Sequence, residues 1–183
     1  VKNILLTPKT EWDVINSETV TPPSLLVSYI FPLAVISAIG PVLSGFLFPG
    51  LLGLNAFLIS ALIAFLSAII SYYISLYIID ILAPTFGSEK DLNKSAQLVA
   101  YSTTPSFIAG LLSFIPVIGG LLSFVAWAYS IYIMYLGLTP LKKTPEDKKI
   151  IYLIIAFIVT VAVMMVVSAI LGSMLLTSAL LGF

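Results

Sequence analysis

Three tracts of this chain contain no charged residue at all: Thr19 to Ile79, Ser95 to Leu141 and Ile150 to Phe183. A helix needs about 20 predominantly apolar residues to cross the hydrocarbon core of a bilayer, and each tract has room for at least one crossing. The composition agrees. The chain is 60% hydrophobic and 9% charged, where soluble domains run nearer one half and one quarter. The expected fold is all-α: a polytopic membrane helical bundle forming a single domain over residues 1–183.

Proline, glycine and charge divide the tracts into five predicted spans, at about 25–47, 54–82, 95–115, 117–138 and 150–172. The polar leader, residues 1–23, precedes them. Thr7-Pro8 supplies a cap and a first helical residue, Thr10 and Asp13 stand at a loose capping-box spacing, and Trp12 and Ile15 share a face. This predicts a short helix on the membrane surface with Trp12 as interfacial anchor at headgroup level. No apolar core follows its lysines, so the leader does not read as a signal peptide.

In the first span Pro41 removes a bond to the Ser37 carbonyl, which predicts a kink. Phe48-Pro49-Gly50 and Gly53 form an uncharged turn. On the second span Ser60, Ala64, Ser67, Ala68, Ser71 and Ser75 form a small-residue stripe, a candidate helix-packing face. Tyr72, Tyr73 and Tyr77 read as an aromatic belt. Pro116 to Gly120 is a very short connection between the third and fourth spans. The apolar tail, residues 173–183, extends the last helix or lies along the bilayer.

Every lysine falls in the leader, in the loop after the second span or in the loop after the fourth. Five crossings place all three on one side. Lysine-rich flanks stay cytoplasmic, so the expected location is the cell membrane, with the N-terminus inside and the C-terminus outside.

The chain contains no histidine and no cysteine, which removes disulfides, thiolate nucleophiles and the commonest transition-metal ligands. No cofactor or metal is expected, and a net charge of zero argues against a nucleic-acid partner. No ionisable group sits in mid-span, where proton relays place theirs. Asp80 lies at the end of the second span and reads as a hydrated carboxylate pairing with Lys90 or Lys94. Tyr101-Ser102-Thr103-Thr104-Pro105 is the candidate polar break or pivot. Pro105 cannot bond the Tyr101 carbonyl. The result is either a kink whose hydroxyls satisfy the backbone or a broken helix facing a polar cavity. Tyr129, Tyr132 and Tyr135, three residues apart, line a groove for a lipid or prenyl chain, or pack between helices. With no phosphate loop and no catalytic triad, an enzyme is not expected.

These residues resemble the Yip1 family of small polytopic membrane proteins. The resemblance lies in Pro8-x-x-x-Trp12-x-x-Ile15, in Ala100-Tyr101-Ser102-Thr103-Thr104-Pro105, and in Ile115-Pro116 to Gly119 followed by Tyr129, Tyr132, Tyr135 and Gly137. It implies five spans with a cytoplasmic N-terminus. Eukaryotic relatives bind prenylated Rab-type GTPases in vesicle trafficking and carry a longer N-terminal region and an Asp-Leu-Tyr-Gly-Pro signature. This chain shows neither, which fits a prokaryotic member, archaeal or bacterial. The expected function is a non-enzymatic membrane-organising scaffold that binds lipid or a partner. The rivals are a transporter or channel for a neutral or lipid-like solute, and an accessory subunit of a larger complex. The expected partners are membrane lipids and a second copy or another membrane protein.

Overall fold

The structure is a computed structural model that describes residues 1–48, 54–115 and 117–181, the side chains of 54–57 and 167–181 apart. The expected turn residues Pro49, Gly50 and Gly53, and Pro116 of the short connection, lie outside the described residues. Every regular element among the described residues is helical: α1 (Lys2–Leu6), α2 (Pro8–Ser17), α3 (Pro22–Leu47), α4 (Leu54–Leu82), α5 (Leu92–Ser102), α6 (Thr104–Leu111), α7 (Ile118–Lys142) and α8 (Lys149–Leu181). The apolar tail continues α8 as far as Leu181.

Four helices are long and apolar enough to cross a membrane: Pro22–Leu47, Leu58–Phe86, Ile118–Lys142 and Glu146–Val166. Their outward faces carry exposed Leu62, Phe124, Val125, Ile150 and Ile158. Contiguous apolar surface of this kind is a liability in water and is solvated in lipid. The predicted third span is not a fifth such helix. It is divided at Thr103 into α5 and α6, and a 3₁₀ turn, Leu112–Phe114, follows α6. α3 is irregular near its start. The helix continues through Pro41, and its turn widens to π geometry at Leu26–Ile30. Such a widened turn is one of the few ways a helix accommodates a nearby ring like that of Pro32.

The charged segments gather at one end of the bundle. Lys142 Nζ donates to the Asp91 carbonyl at 3.1 Å, the Glu89 N–H donates to the Lys142 carbonyl at 2.8 Å, and Ser88 Oγ donates to Thr144 Oγ1 at 2.9 Å. Lys94 Nζ reaches the Asn16 carbonyl at 2.6 Å. The three lysine-bearing flanks therefore share one end. From there α5 and α6 run alongside α7 to its start. Ser106 Oγ meets Ser130 Oγ at 3.0 Å, and a Cβ on Gly119 would lie 3.0 Å from Ser113 Cα.

α3 and α6 approach closely. A Cβ on Gly40 would stand 2.1 Å from the Gly110 carbonyl oxygen, and one on Gly110 would stand 1.9 Å from Ser37 Oγ. Small residues let membrane helices meet this way, but the sequence reading placed such a face on α4. There the structure buries Ala61, Tyr72, Leu76 and Ile79. Ser60 and Ala64 face outward, while Ser67, Ala68, Ser71 and Ser75 are half-buried. The buried face carries bulkier side chains and packs on α3, α5 and α8. Tyr72 lies on this face, not in a belt, and its hydroxyl donates to the Pro22 carbonyl at 3.1 Å.

Trp12 is fully enclosed by protein, which corrects its reading as an interfacial anchor. Its Nε1–H donates to the Ile133 carbonyl at 3.0 Å, and its ring meets Tyr101 edge-on at 6.4 Å. The notch that receives it is Gly137, where a Cβ would lie 2.7 Å from Trp12 Cε2 and 2.6 Å from Leu98 Cδ1. Ile4, Trp12 and Ile15, the buried stripe of α1 and α2, thus find protein instead of lipid.

Gly137→Ala is expected to force the indole out of its notch and to cost about 1–3 kcal/mol, the usual range for overpacking. Thermal unfolding in detergent micelles, followed by loss of the monodisperse species, measures it. Adding Trp12→Phe, a smaller ring, is expected to recover part of the loss. A parent-like Gly137→Ala would show that the notch is not required.

Candidate functional site

Thr103 is the turn residue between α5 and α6, and Pro105 stands in the first turn of α6. A proline there has no N–H to offer the Tyr101 carbonyl. That carbonyl instead accepts the Thr104 hydroxyl at 2.7 Å, and the Thr103 hydroxyl turns back to the Val99 and Ala100 carbonyls at 3.0 and 3.1 Å. Since the single Thr104 proton goes to Tyr101, the 2.7 Å contact with Tyr29 Oη is a donation from the tyrosine. Tyr101 lies across Tyr29 at 4.6 Å, and its hydroxyl donates to Glu18 Oε2 at 3.0 Å. Three of the five predicted residues, Tyr101, Thr103 and Thr104, thus form a local network of backbone and hydroxyl bonds around a fourth, Pro105.

Ser102 is the fifth. It is fully buried, and its hydroxyl has no hydrogen-bond partner in the structure. Burying a hydroxyl in this state costs about 1–3 kcal/mol. Ser102 lines a cavity of about 300 Å³ enclosed by α4, the α5–α6 break, α7 and α8. Its other polar wall groups are Ser75, Thr103, Ser106, Ser130 and Thr160, and its apolar wall includes Ile79, Ile131, Met134 and Leu153. No charged residue lines it. A second cavity of about 260 Å³ adjoins on the α3 side and shares Ser75, Thr103 and Ser106 with the first. The break is the common wall: where the helix axis is interrupted, neighbouring helices do not close upon it. Ser71, Ser75 and Ala68 of the predicted stripe belong to these walls.

The three tyrosines of α7 do not line either cavity. Tyr129 donates to the Leu5 carbonyl at 2.6 Å and stacks on half-exposed Tyr132, with ring centres 5.9 Å apart. Tyr135 lies beneath Lys149 Nζ at 4.9 Å. The groove reading is corrected: three-residue steps keep these rings on one face of α7, and that face meets α1 and the start of α8. The cavity takes the other face, with Trp127, Ser130 and Met134.

At the charged end, Asp80 pairs with Lys142 and not with Lys90 or Lys94. The Nζ–Oδ1 distance is 3.2 Å, and the lysine is wholly buried. Lys142 Nζ also donates to Ser95 Oγ at 2.7 Å and to the Asp91 carbonyl at 3.1 Å, so each of its three protons has an acceptor. Tyr152 donates to the neighbouring Ile79 carbonyl and stacks on Phe86 at 4.8 Å. Sequence reasoning missed Lys142 because it saw a charged loop. The signal was present in Pro140, inside the last turn of α7, and in Thr144. The Thr144 hydroxyl caps the Leu138 carbonyl at 3.1 Å, holding Lys142 against the bundle. Gln97 was missed too. It donates to the Ile15 and Glu18 carbonyls at 2.9 and 3.3 Å, tying down the end of α2.

A family model described as the Yip1 domain matches residues 2–180. The chain belongs to the Yip1 family. This is a family of membrane proteins, and the match covers the leader helices, the break and all four long helices of the Yip1 domain described here. No curated protein and no solved structure matches the chain.

Removing one partner of a buried ion pair strands the other, at about 3–5 kcal/mol. Asp80→Asn is therefore expected to lower the melting temperature in detergent sharply. The paired change Asp80→Leu with Lys142→Met is expected to restore most of the loss, because it removes both buried charges. Failure of the double variant to improve on Asp80→Asn would show that Asp80 is needed for something other than pairing.

Proposed function

We propose that this Yip1-domain protein is a non-enzymatic membrane scaffold that binds lipid or a membrane-protein partner. The observation that carries this reading is the uncharged cavity beside Ser102, set in a bundle whose outer faces suit a bilayer. The cavity supports lipid binding over passage of a hydrophilic solute, because Thr104 is turned away from it toward Tyr29 and most of the wall is hydrocarbon. The α5–α6 pair is read as a fifth, broken crossing, since it joins the charged end of the bundle to the start of α7. With an odd number of crossings the lysine-bearing end lies in the cytoplasm.

Extraction in polymer-bounded nanodiscs followed by mass spectrometry tests the binding reading. A specific lipid, or a membrane protein in fixed ratio, is expected to remain with this chain and not with an unrelated bundle of similar size. Selective flux of a neutral solute through reconstituted vesicles, with nothing retained, would overturn it in favour of transport. The topology has its own test, made simple by the absence of native cysteine. Lys90→Cys and Lys148→Cys, both exposed on the charged end, are expected to resist an impermeant thiol reagent in intact cells. Val117→Cys, at the opposite end of α7, is expected to be labelled. Like labelling of Lys90→Cys and Val117→Cys would remove the fifth crossing, because α5 and α6 lie between them.

A further inference from the structure

We infer that the cavity beside the break holds a single-chain, uncharged amphiphile, a hydrocarbon chain ending in a hydroxyl or carbonyl, with that polar group bonded to Ser102. The inference rests on the lipid-binding reading and names its ligand class.

Four features select this ligand. The size comes first: about 300 Å³ is the lower end of the range of small-molecule sites, which suits one chain and not the two chains and headgroup of a phospholipid. The second is polarity. The wall offers hydroxyls and hydrocarbon but no charge, and the nearby Asp80 and Lys142 neutralise each other. A carboxylate or phosphate would have no counter-charge here, and an unpaired ion is costly in such surroundings. The third is a polar atom without a protein partner. Ser106 and Ser130 bond each other, and Thr103 is committed to backbone carbonyls. Ser75 and Thr160 are only half-buried, so Ser102 alone of the six wall hydroxyls is both fully enclosed and unpartnered, and a hydroxyl can both donate and accept, matching an alcohol or a carbonyl.

The fourth feature is the way in. Trp127 of α7 and Phe157 of α8 stand at the rim, their rings 5.5 Å apart. Both are partly exposed, as is Ile154 beside them, and their surface continues the lipid-facing sides of α7 and α8. A chain enters sideways from the bilayer and its polar end travels inward, without passing through water.

Trp127 supplies the readout. The chain has two tryptophans, and the other, Trp12, is sealed behind Gly137. In nanodiscs, a terminally brominated undecanol is expected to quench fluorescence saturably, and Trp127→Phe is expected to abolish the saturable part. Ser102→Ala removes a hydroxyl that bonds nothing in the protein, so folding is retained, and binding is expected to weaken about fivefold, the worth of one neutral hydrogen bond. Ala156→Phe, filling the wall of the cavity, is expected to eliminate saturation. The matching bromo-acid in its ionised form, and a phospholipid brominated on both chains, are expected to show only unsaturable quenching. Quenching of the parent by the alcohol that is linear in its mole fraction, and unchanged by either variant, would mean bulk partition alone and overturn the proposal. Saturable quenching by the ionised acid would overturn its charge selection. A chain that retains lipid in nanodiscs yet shows no saturable quenching refutes this site while leaving the scaffold reading intact.

Discussion

In hydrocarbon, a backbone carbonyl that its helix leaves unpaired has no water to turn to and must find a donor within the protein. Much of this structure follows from meeting that requirement. The break at Thr103 frees the Ala100 and Tyr101 carbonyls, and the hydroxyls of Thr103 and Thr104 take them up. At the charged end, the Leu5, Ile15, Asn16 and Glu18 carbonyls of the leader receive Tyr129, Gln97 and Lys94. The same bonds that satisfy the leader therefore bind it to α5 and α7. Trp12 completes the arrangement by placing its own donor on Ile133.

This explains why the leader packs onto the bundle. An amphipathic helix with a tryptophan can lie at headgroup level, and nothing local to α2 opposes that. What decides is a notch on another helix, shaped by Gly137 and Leu98 far along the chain. Its importance lies in an absent side chain, which carries no periodicity. Pattern reading sees Trp12 and Ile15 as an apolar face but cannot see which surface receives it.

The legible and illegible parts divide along the same line. Helical class and the long apolar elements were readable from the charge-free tracts, because bilayer thickness imposes a length that shows in one dimension. The grouping of lysine-bearing flanks at one end was readable for a similar reason. The network at Tyr101–Pro105 was locatable from its composition, since a proline strands a carbonyl that an adjacent hydroxyl can take up. The cavity was not readable. It takes Ser75 from α4, Ser130 from α7 and Thr160 from α8, residues related only by the packing angles of those helices. Tyr129, Tyr132 and Tyr135 left two readings open because a row of aromatics marks a face of a helix without saying whether lipid, ligand or protein covers it.

The bonding also bears on how stability is distributed. Interhelical hydrogen bonds in membranes average only about 0.6 kcal/mol each, so none of the contacts at the break holds the fold by itself. The Asp80–Lys142 pair is different in kind, since losing one member leaves a charge in the interior. It joins the end of α4 to the end of α7, and its ammonium also holds the start of α5 through Asp91 and Ser95. Rigidity is thus concentrated at the charged end, where three elements are tied by one buried ammonium. The cavity lies further along the bundle, between helices joined by neutral hydroxyls and apolar contacts. A bundle clamped at one end and joined by weaker bonds beyond it can admit a chain between α7 and α8 without disturbing the clamp.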